Sequence, residues 1–488
     1  MLSQMKSLNR QQFEYCLHFD PLQDNGSIVR RIDRATGEDD RVRVNIDDRN
    51  FKHRIQQEFP PVIADVIDLA VAIHASDRLT IQDPHQPQIQ LKVVLPVRHP
   101  EILNKSTLNQ QLCQLLYWAT GKQWVFEFER RRQPGRSIEN QLLLCSSDPD
   151  VDEVSLWSGG LDALAGLYGR LKNSPDKSFA LFGSGSNDNT HKRQQDVFHS
   201  LQYLFPNRLN LCRIPIRFDQ SSHLEKSPSR SRGIVFMLLG SAYSYLRGLR
   251  VLHVYENGIG AINLPYRKSA VGLDHARSVH PETLLGVGML MTELIGENFT
   301  VHNPFLFHTK AEMMKSLAED ARIDLASQTS SCDSPHRKSQ QPPQCGYCSS
   351  CILRKQALAA SYLEDKTHYI VPHGNPPVED TRLYFESMLA QVASLRERLK
   401  PSDQEGDQWW ALSQRFPELN DIVDRTHTEE NITLPEMRHQ LIRLFQAYVS
   451  EWDLVEPSLS EQFVRKDGSN DVVTHESQLS ILKGLLCR

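Results

Sequence analysis

Two groups of residues in this sequence have the types and the spacing for chemistry. The first is Ser158-Gly159-Gly160-Leu161-Asp162. Paired glycines let a backbone turn tightly, so that successive N–H groups face one anion. A helix beginning just after them adds the partial positive charge of its N-terminus. Ser158 offers a hydroxyl to the same anion, and Asp162, in the first helical turn, is placed to hold Mg²⁺. No Gly-Lys-Ser/Thr ending follows, so this is not a Walker A loop. The second group is Cys332, Cys345, Cys348 and Cys351, a C-x12-C-x2-C-x2-C pattern. Two-residue spacings let thiolates converge on one cation, and four sulfur ligands suit a closed, structural, tetrahedral Zn²⁺. An iron–sulfur run of the bacterial ferredoxin type would continue x3-Cys-Pro. Here Cys351 is followed by Ile352-Leu353-Arg354, which favours zinc.

The elements that must position these groups can be read from apolar periodicity. Val154 to Trp157, Phe179 to Phe182, Leu209 to Ile216 and Val251 to Tyr255 read as strands, each followed by polar or Gly-rich residues and a helical stretch. That alternation predicts an α/β unit over residues 150–370, a parallel sheet with crossover helices and ligands at the carboxyl ends of the strands. Residues 1–149 read as an accessory α+β domain. Arg41 to Ile46, Ile89 to Leu95 and Trp124 to Glu129 alternate, and Val62 to Leu79 and Leu108 to Ala119 have helical spacing. Residues 371–488 read as helical, with helices at Asp380 to Leu399, Gln408 to Phe416 and Leu434 to Val449 and the acidic Glu405 to Asp407 in a loop. The Arg130 to Arg132 run reads as a solvated strand end.

The chain has 488 residues, 39% hydrophobic and 24% charged, which excludes wholesale disorder. A net charge of -5 disfavours a globally basic nucleic-acid binder. No apolar run approaches a membrane span and the first residues do not form a secretory signal, so the expectation is a cytoplasmic protein without membrane contact. Nine cysteines in such a chain argue against a disulfide framework, and Cys212, on a strand, reads as core.

The Ser158–Asp162 loop resembles the pyrophosphate loop of the PP-loop ATPases, SGG-x-D-S, which cleave ATP between the α and β phosphates. Ala163 stands where that family usually has a second Ser, which removes one hydroxyl donor. Cys345-Gly346-Tyr347-Cys348-Ser349-Ser350-Cys351-Ile352-Leu353-Arg354 resembles the C-G-x-C-x-S-C-x-x-R ending of the 7-cyano-7-deazaguanine synthase (QueC) family. Ser229-Arg230-Ser231-Arg232-Gly233 and Glu256-Asn257-Gly258 support the resemblance, which covers roughly residues 151 to 363. It implies a HUP-type PP-loop core using ATP, Mg²⁺ and Zn²⁺. Ser158, Gly159, Gly160, Leu161, Asp162, Ala163, Phe182 and Lys310 would hold the nucleotide. Asp162, Arg230 and Arg232 would carry the reaction, and Glu256, Asn257, Gly258 and His191 would hold the base. Each also has an ordinary structural reading: solvated arginines, an Asn-Gly turn, a surface lysine, a satisfied histidine.

The family activates 7-carboxy-7-deazaguanine as an acyl-adenylate, and ammonia then converts it through the amide to the nitrile. The long flanks resemble those of QueC-like proteins from anti-phage defence operons of the Qat and type IV CBASS types. That implies transfer of the acyl group to an amine on a partner protein, such as an N-terminal glycine. Three alternatives stand beside it: free-base nitrile formation with ammonia, a non-catalytic nucleotide-binding scaffold, and tRNA thiolation. The last is the weakest, because the clustered cysteines are better assigned to zinc.

Overall fold

The computed structural model describes residues 13–22, 26–48, 51, 59–80, 89–133, 135–136, 139, 150–185, 188–219, 229–266, 277–332, 344–371 and 384–463. Asn187, Cys145 and Cys487 lie outside them.

Among the described residues, ten strands form one sheet: β1 (Tyr15–Pro21), β2 (Gly26–Asp33), β3 (Asp39–Ile46), β4 (Gln90–Val97), β5 (Gln123–Arg130), β6 (Glu153–Leu156), β7 (Phe179–Gly185), β8 (Leu209–Phe218), β9 (Val251–His253) and β10 (Thr300–His302). The order is β10-β9-β6-β7-β8-β3-β2-β1-β4-β5. The pairs β1–β2, β2–β3 and β3–β8 are antiparallel, and the others are parallel. The strand at residues 209–218 pairs on one side with β7 and on the other with β3, so the sheet runs without a break from the middle of the chain into its first part.

The strands that sequence patterning anticipates are present with shifted ends, whereas β1, β2 and β10 carry no clear pattern. Their strands mix charged with apolar residues or are only three residues long.

The helix Pro61–Arg78 is buried over nearly its whole length, its buried Asp68 and Asp77 paired with Arg131, Arg136 and Lys122. It packs against the helix Arg232–Leu246 and the sheet. The helix Ser106–Thr120 lies on β5, at one edge of the sheet, and the helix Pro281–Ile295 lies on β10, at the other edge. These two helices touch. A Cβ on Gly286 would lie 2.8 Å from Leu115 Cδ1. Trp118 Nε1 donates to Thr283 Oγ1 at 3.2 Å, and the Arg277 guanidinium sits 3.7 Å above the Trp118 ring. The sheet therefore curls until helices seated on its opposite edges meet, and one apolar cluster reaches from Tyr15 to Val301.

The C-terminal helices Tyr384–Arg398, Glu405–Arg415, Glu418–Thr426 and Leu434–Phe463 enclose a second cluster, which also takes in Ile259, Leu306 and Ile352. Glu405 to Asp407 open a helix instead of forming a loop, with acidic side chains suited to a first turn. Arg131 is also unlike a solvated strand end. Its side chain is buried and paired with Asp68 at 3.1 Å, in a cluster with Arg98, Arg136 and Glu139, while Arg130 stays exposed and pairs with Glu101. Among the described residues, no helix is long and apolar enough to cross a membrane.

Candidate active site and cysteine centre

The loop after β6 is built as its residue types require. Gly159 has φ +72, a left-handed conformation that glycine adopts without penalty, and a Cβ there would press on the Gln194 backbone at 3.2 Å. Leu161–Asn173 forms the following helix. Two loop N–H groups that an anion would take are met by hydroxyls. Gly160 N–H donates to Ser158 Oγ at 3.1 Å, and Leu161 N–H to Ser331 Oγ at 3.4 Å. Such hydroxyls occupy positions that phosphate oxygens can take over.

Asp162 is the centre of the arrangement. It is 8% exposed, and its carboxylate receives Asn257 Nδ2 at 2.9 Å and an ion pair from Lys310 Nζ. Lys310 is itself 5% exposed, so it is a buried cation facing a buried anion and not a surface lysine. Thr309 and Glu312 form a capping box that starts the helix Lys310–Met313 and fixes the lysine's origin. Asn257 is fully buried. Its Oδ1 accepts Gly260 N–H at 2.8 Å and caps the helix Gly258–Ile262, while its Nδ2 also reaches Glu256 Oε1 at 2.9 Å. The turn Glu256–Gly258 is pinned in place: Asn303 Nδ2 donates to Glu256 O at 2.8 Å, and Gly258 lies too close to Leu306 O for any side chain. The structure thus brings the glycine loop, Asp162, Lys310 and Glu256–Gly258 together at the carboxyl ends of β6 and β9.

Other expected residues sit differently. His191, buried on the helix Asp188–Leu204, meets the side-chain Oε1 of Gln194, the residue whose backbone abuts Gly159, at 3.2 Å. Phe182 is fully buried, its ring packed against Phe51 and Tyr243. What it offers the loop is its carbonyl, which accepts Trp157 N–H at 2.7 Å. Ala163 is a core residue of the loop helix.

Arg230 and Arg232 stand at the start of the helix Arg232–Leu246. That turn is held by Asp77, which accepts Ser229 Oγ at 2.6 Å and Ser231 N–H at 3.0 Å. Lys122, 3.0 Å from Asp77, and these donors outweigh the cost of burial and hold the Asp77 carboxyl down to about 2. Among the described residues, neither arginine has a hydrogen bond or ion pair to the glycine loop. Arg232 is exposed.

Sequence reasoning missed several residues here. Gln194 clamps Trp157 twice, accepting its indole N–H at 2.9 Å through its own carbonyl and donating Nε2 to Trp157 O at 2.8 Å. Ser330 and Ser331 cross the loop, with Ser330 N–H directed at Gly159 O. Glu451, from the C-terminal helix, accepts Thr309 Oγ1 and Gln356 Nε2. None carries a motif; each is a single polar residue whose partner is remote in sequence.

The four cysteines converge. Their sulfurs all lie within 4.8 Å of one another, with Cys345–Cys351 and Cys348–Cys332 at 3.9 Å. Four sulfurs about 2.3 Å from a tetrahedral zinc would be about 3.8 Å apart, so this set fits the ion. All four are free thiols. Backbone N–H groups of Cys345 and Cys348 point at Cys332 Sγ and Cys345 Sγ, at 3.4 and 3.3 Å, as donors that favour thiolate. Neighbouring cysteines hold the Cys332 thiol far below its ordinary range. Gly346, at φ +92, turns the chain between Cys345 and Cys348. Cys332 directly follows Ser330 and Ser331, so the centre anchors the segment that crosses the loop. Arg354, fully buried, ties it further by donating to Thr329 Oγ1 at 2.7 Å and Ala326 O at 2.6 Å.

No curated protein shows a significant match to the chain. Residues 280–362, which include Lys310 and all four cysteines, match the family described as Queuosine biosynthesis protein QueC, and this supports a QueC-like, ATP-utilising enzyme of deazaguanine chemistry.

Proposed function

We propose that the protein is a PP-loop enzyme that adenylates a 7-deazaguanine carboxylate with ATP and transfers the acyl group to an amine, the N-terminus of a partner protein. The observation that carries this is the buried Asp162–Lys310 pair at the head of the glycine-loop helix, with Asn257 of the Glu256–Gly258 turn on the same carboxylate. A phosphate-binding loop and a turn with donor and acceptor groups for a base edge thereby share one locus.

In the reaction, a substrate carboxylate oxygen attacks the α-phosphorus. A bond forms between them, and pyrophosphate leaves. The amine then attacks the acyl carbon, the bond to AMP breaks, and the amine gives up a proton. The loop N–H groups and the Lys310 ammonium offset the charge gathered at the phosphates. Asp162 is the residue that would hold Mg²⁺, whose contribution is to neutralise phosphate charge. Arg230 and Arg232, on the turn fixed by Asp77, would have to move to the loop to meet the same charge, since among the described residues neither bonds to it. Zinc, which Cys332, Cys345, Cys348 and Cys351 would hold with four sulfurs, would have a structural role.

The test is intact-mass measurement after incubation with ATP, carboxydeazaguanine and the proteins encoded beside this one. A deazaguanine-sized adduct on one of them is expected; none on any would sink protein transfer. The matched family's description as a queuosine biosynthesis protein favours a second reading, free-base nitrile formation with ammonia. Chromatography of the small-molecule products separates the two.

A further inference from the structure

Arg193 is a half-buried guanidinium beside the glycine loop. It lies on the helix Asp188–Leu204, next to Gln194, whose Cα would be 3.2 Å from a Cβ on Gly159. This helix is therefore packed directly on the loop. The residues Gln328 to Ser331 run along the same helix. Ser200 Oγ donates to Gln328 Oε1 at 2.8 Å, and Arg193 Nη1 donates to Ser330 Oγ at 3.4 Å. The chain then crosses the loop. Ser330 N–H meets Gly159 O at 3.5 Å, Ser330 O would lie 3.6 Å from a Cβ on Gly160, and Ser331 Oγ accepts Leu161 N–H at 3.4 Å. A single serine thus stands between the guanidinium and the paired glycines.

Pairing, charge and exchangeability bear on what this side chain does. Among the described residues no carboxylate forms an ion pair with Arg193, and its bond to the Ser330 hydroxyl leaves most of its N–H donors unused. The loop, in turn, is short of positive charge. Pyrophosphate leaves carrying several negative charges, yet the Lys310 ammonium already faces the Asp162 carboxylate, and Ala163 offers no hydroxyl. Among the described residues, Arg230 and Arg232 make no bond to the loop either. Finally, the contacts that hold Ser330 and Ser331 in place are at the long end of the hydrogen-bond range. A phosphate oxygen is a stronger acceptor than a serine hydroxyl, both for an amide and for a guanidinium.

We propose that Arg193 binds the pyrophosphate end of ATP and holds it as it leaves. Phosphate oxygens take the loop N–H groups from the Ser158 and Ser331 hydroxyls, and Arg193 exchanges Ser330 for the same anion, its planar fork spanning the phosphate oxygens. The inference rests on the adenylation reading and extends it to a residue outside the glycine loop and the cysteine knuckle.

The pyrophosphate dependence of ATP–pyrophosphate exchange is measured with carboxydeazaguanine on the full, zinc-loaded chain. Arg193→Gln should raise KM for pyrophosphate about tenfold, which corresponds to about 1.4 kcal/mol. KM for carboxydeazaguanine, bound zinc and the melting temperature should be unchanged. Arg193→Lys should recover part of the loss, since it keeps the charge without the fork. Lys192→Gln, at the exposed neighbouring position, should change nothing. An unchanged KM for pyrophosphate in Arg193→Gln, or an equal rise in Lys192→Gln, overturns the proposal. Loss of zinc from Arg193→Gln also overturns it, by assigning the guanidinium to the cysteine centre. Calorimetry with inorganic pyrophosphate alone separates this proposal from the reading beneath it. Binding that weakens about tenfold in Arg193→Gln, in a chain without exchange activity, would refute adenylation and leave the assignment of Arg193 standing. No pyrophosphate binding, or binding indifferent to Arg193, overturns the assignment whatever the exchange activity.

Discussion

A buried carboxylate with a buried ammonium beside it is costly to assemble and informative once present. Asp162 and Lys310 are 148 positions apart, nearly excluded from solvent, and supported by Asn257. Removing one partner leaves the other charge uncompensated. Asp162→Asn should therefore lower ATP–pyrophosphate exchange by about two orders of magnitude or more. It should do so with the far-ultraviolet spectrum and zinc content kept. Exchange close to that of the unmodified chain would remove Asp162 from the site. The glycine loop and the cysteines were legible because their chemistry dictates spacing: tight turns need consecutive glycines, and thiolates sharing an ion need short intervals. Gln194, Ser331 and Glu451 were not legible. A polar side chain that completes a site by reaching across the fold leaves no interval in the sequence.

At the level of elements, the site is held from outside its own segment. The C-terminal helix Leu434–Phe463 places Arg443 against Glu312 and the Phe307 carbonyl, and Glu451 against Thr309, the residue that caps the Lys310 helix. Burial pushes the Glu451 carboxyl from its ordinary 4.5 up to about 7. A carboxyl raised on folding binds more protons in the folded state. Its favourable contribution is therefore full below pH 4.5 and is lost as pH climbs toward 7. Glu451→Gln removes this dependence. The melting temperature of the variant relative to the unmodified chain should rise from pH 4.5 to pH 7 and then level off; parallel curves would refute the linkage. The cysteine knuckle makes a second element-level prediction. Cys351→Ser should lower bound zinc, read by elemental analysis, well below one ion per chain and reduce the melting temperature. It should also weaken exchange, because the segment Thr329–Cys332 crosses the glycine loop. Strands with clean alternation, such as β5, were readable in advance. β2 was not, because its sequence GSIVRRID places two arginines in a row and hides the period of two.

At the level of the molecule, sequence patterning divides the chain at residues 149/150 and 370/371, whereas packing joins across both positions. β3 bonds to β8, the buried helix Pro61–Arg78 lies against Arg232–Leu246, and Leu115 fills the space left by Gly286. Register between strands some 170 residues apart depends on which faces are buried together, and local periodicity does not encode that. The consequence can be measured. A chain cut to residues 150–371 loses the partner of β8, exposing an unpaired edge, and uncovers the apolar faces of the helices at 232–246 and 281–295. It also loses Asp77, which fixes the turn of Arg230, and Glu451, which fixes Thr309. Such a fragment should bind hydrophobic dyes, elute as aggregates on size exclusion, and show no cooperative thermal transition even with zinc supplied. A monomeric fragment with a sharp transition and full pyrophosphate exchange would show that the middle segment is an independent enzyme. The extra length would then serve only recognition of the acceptor. Loss of both properties would instead mean that the flanks complete the core on which the reacting groups stand.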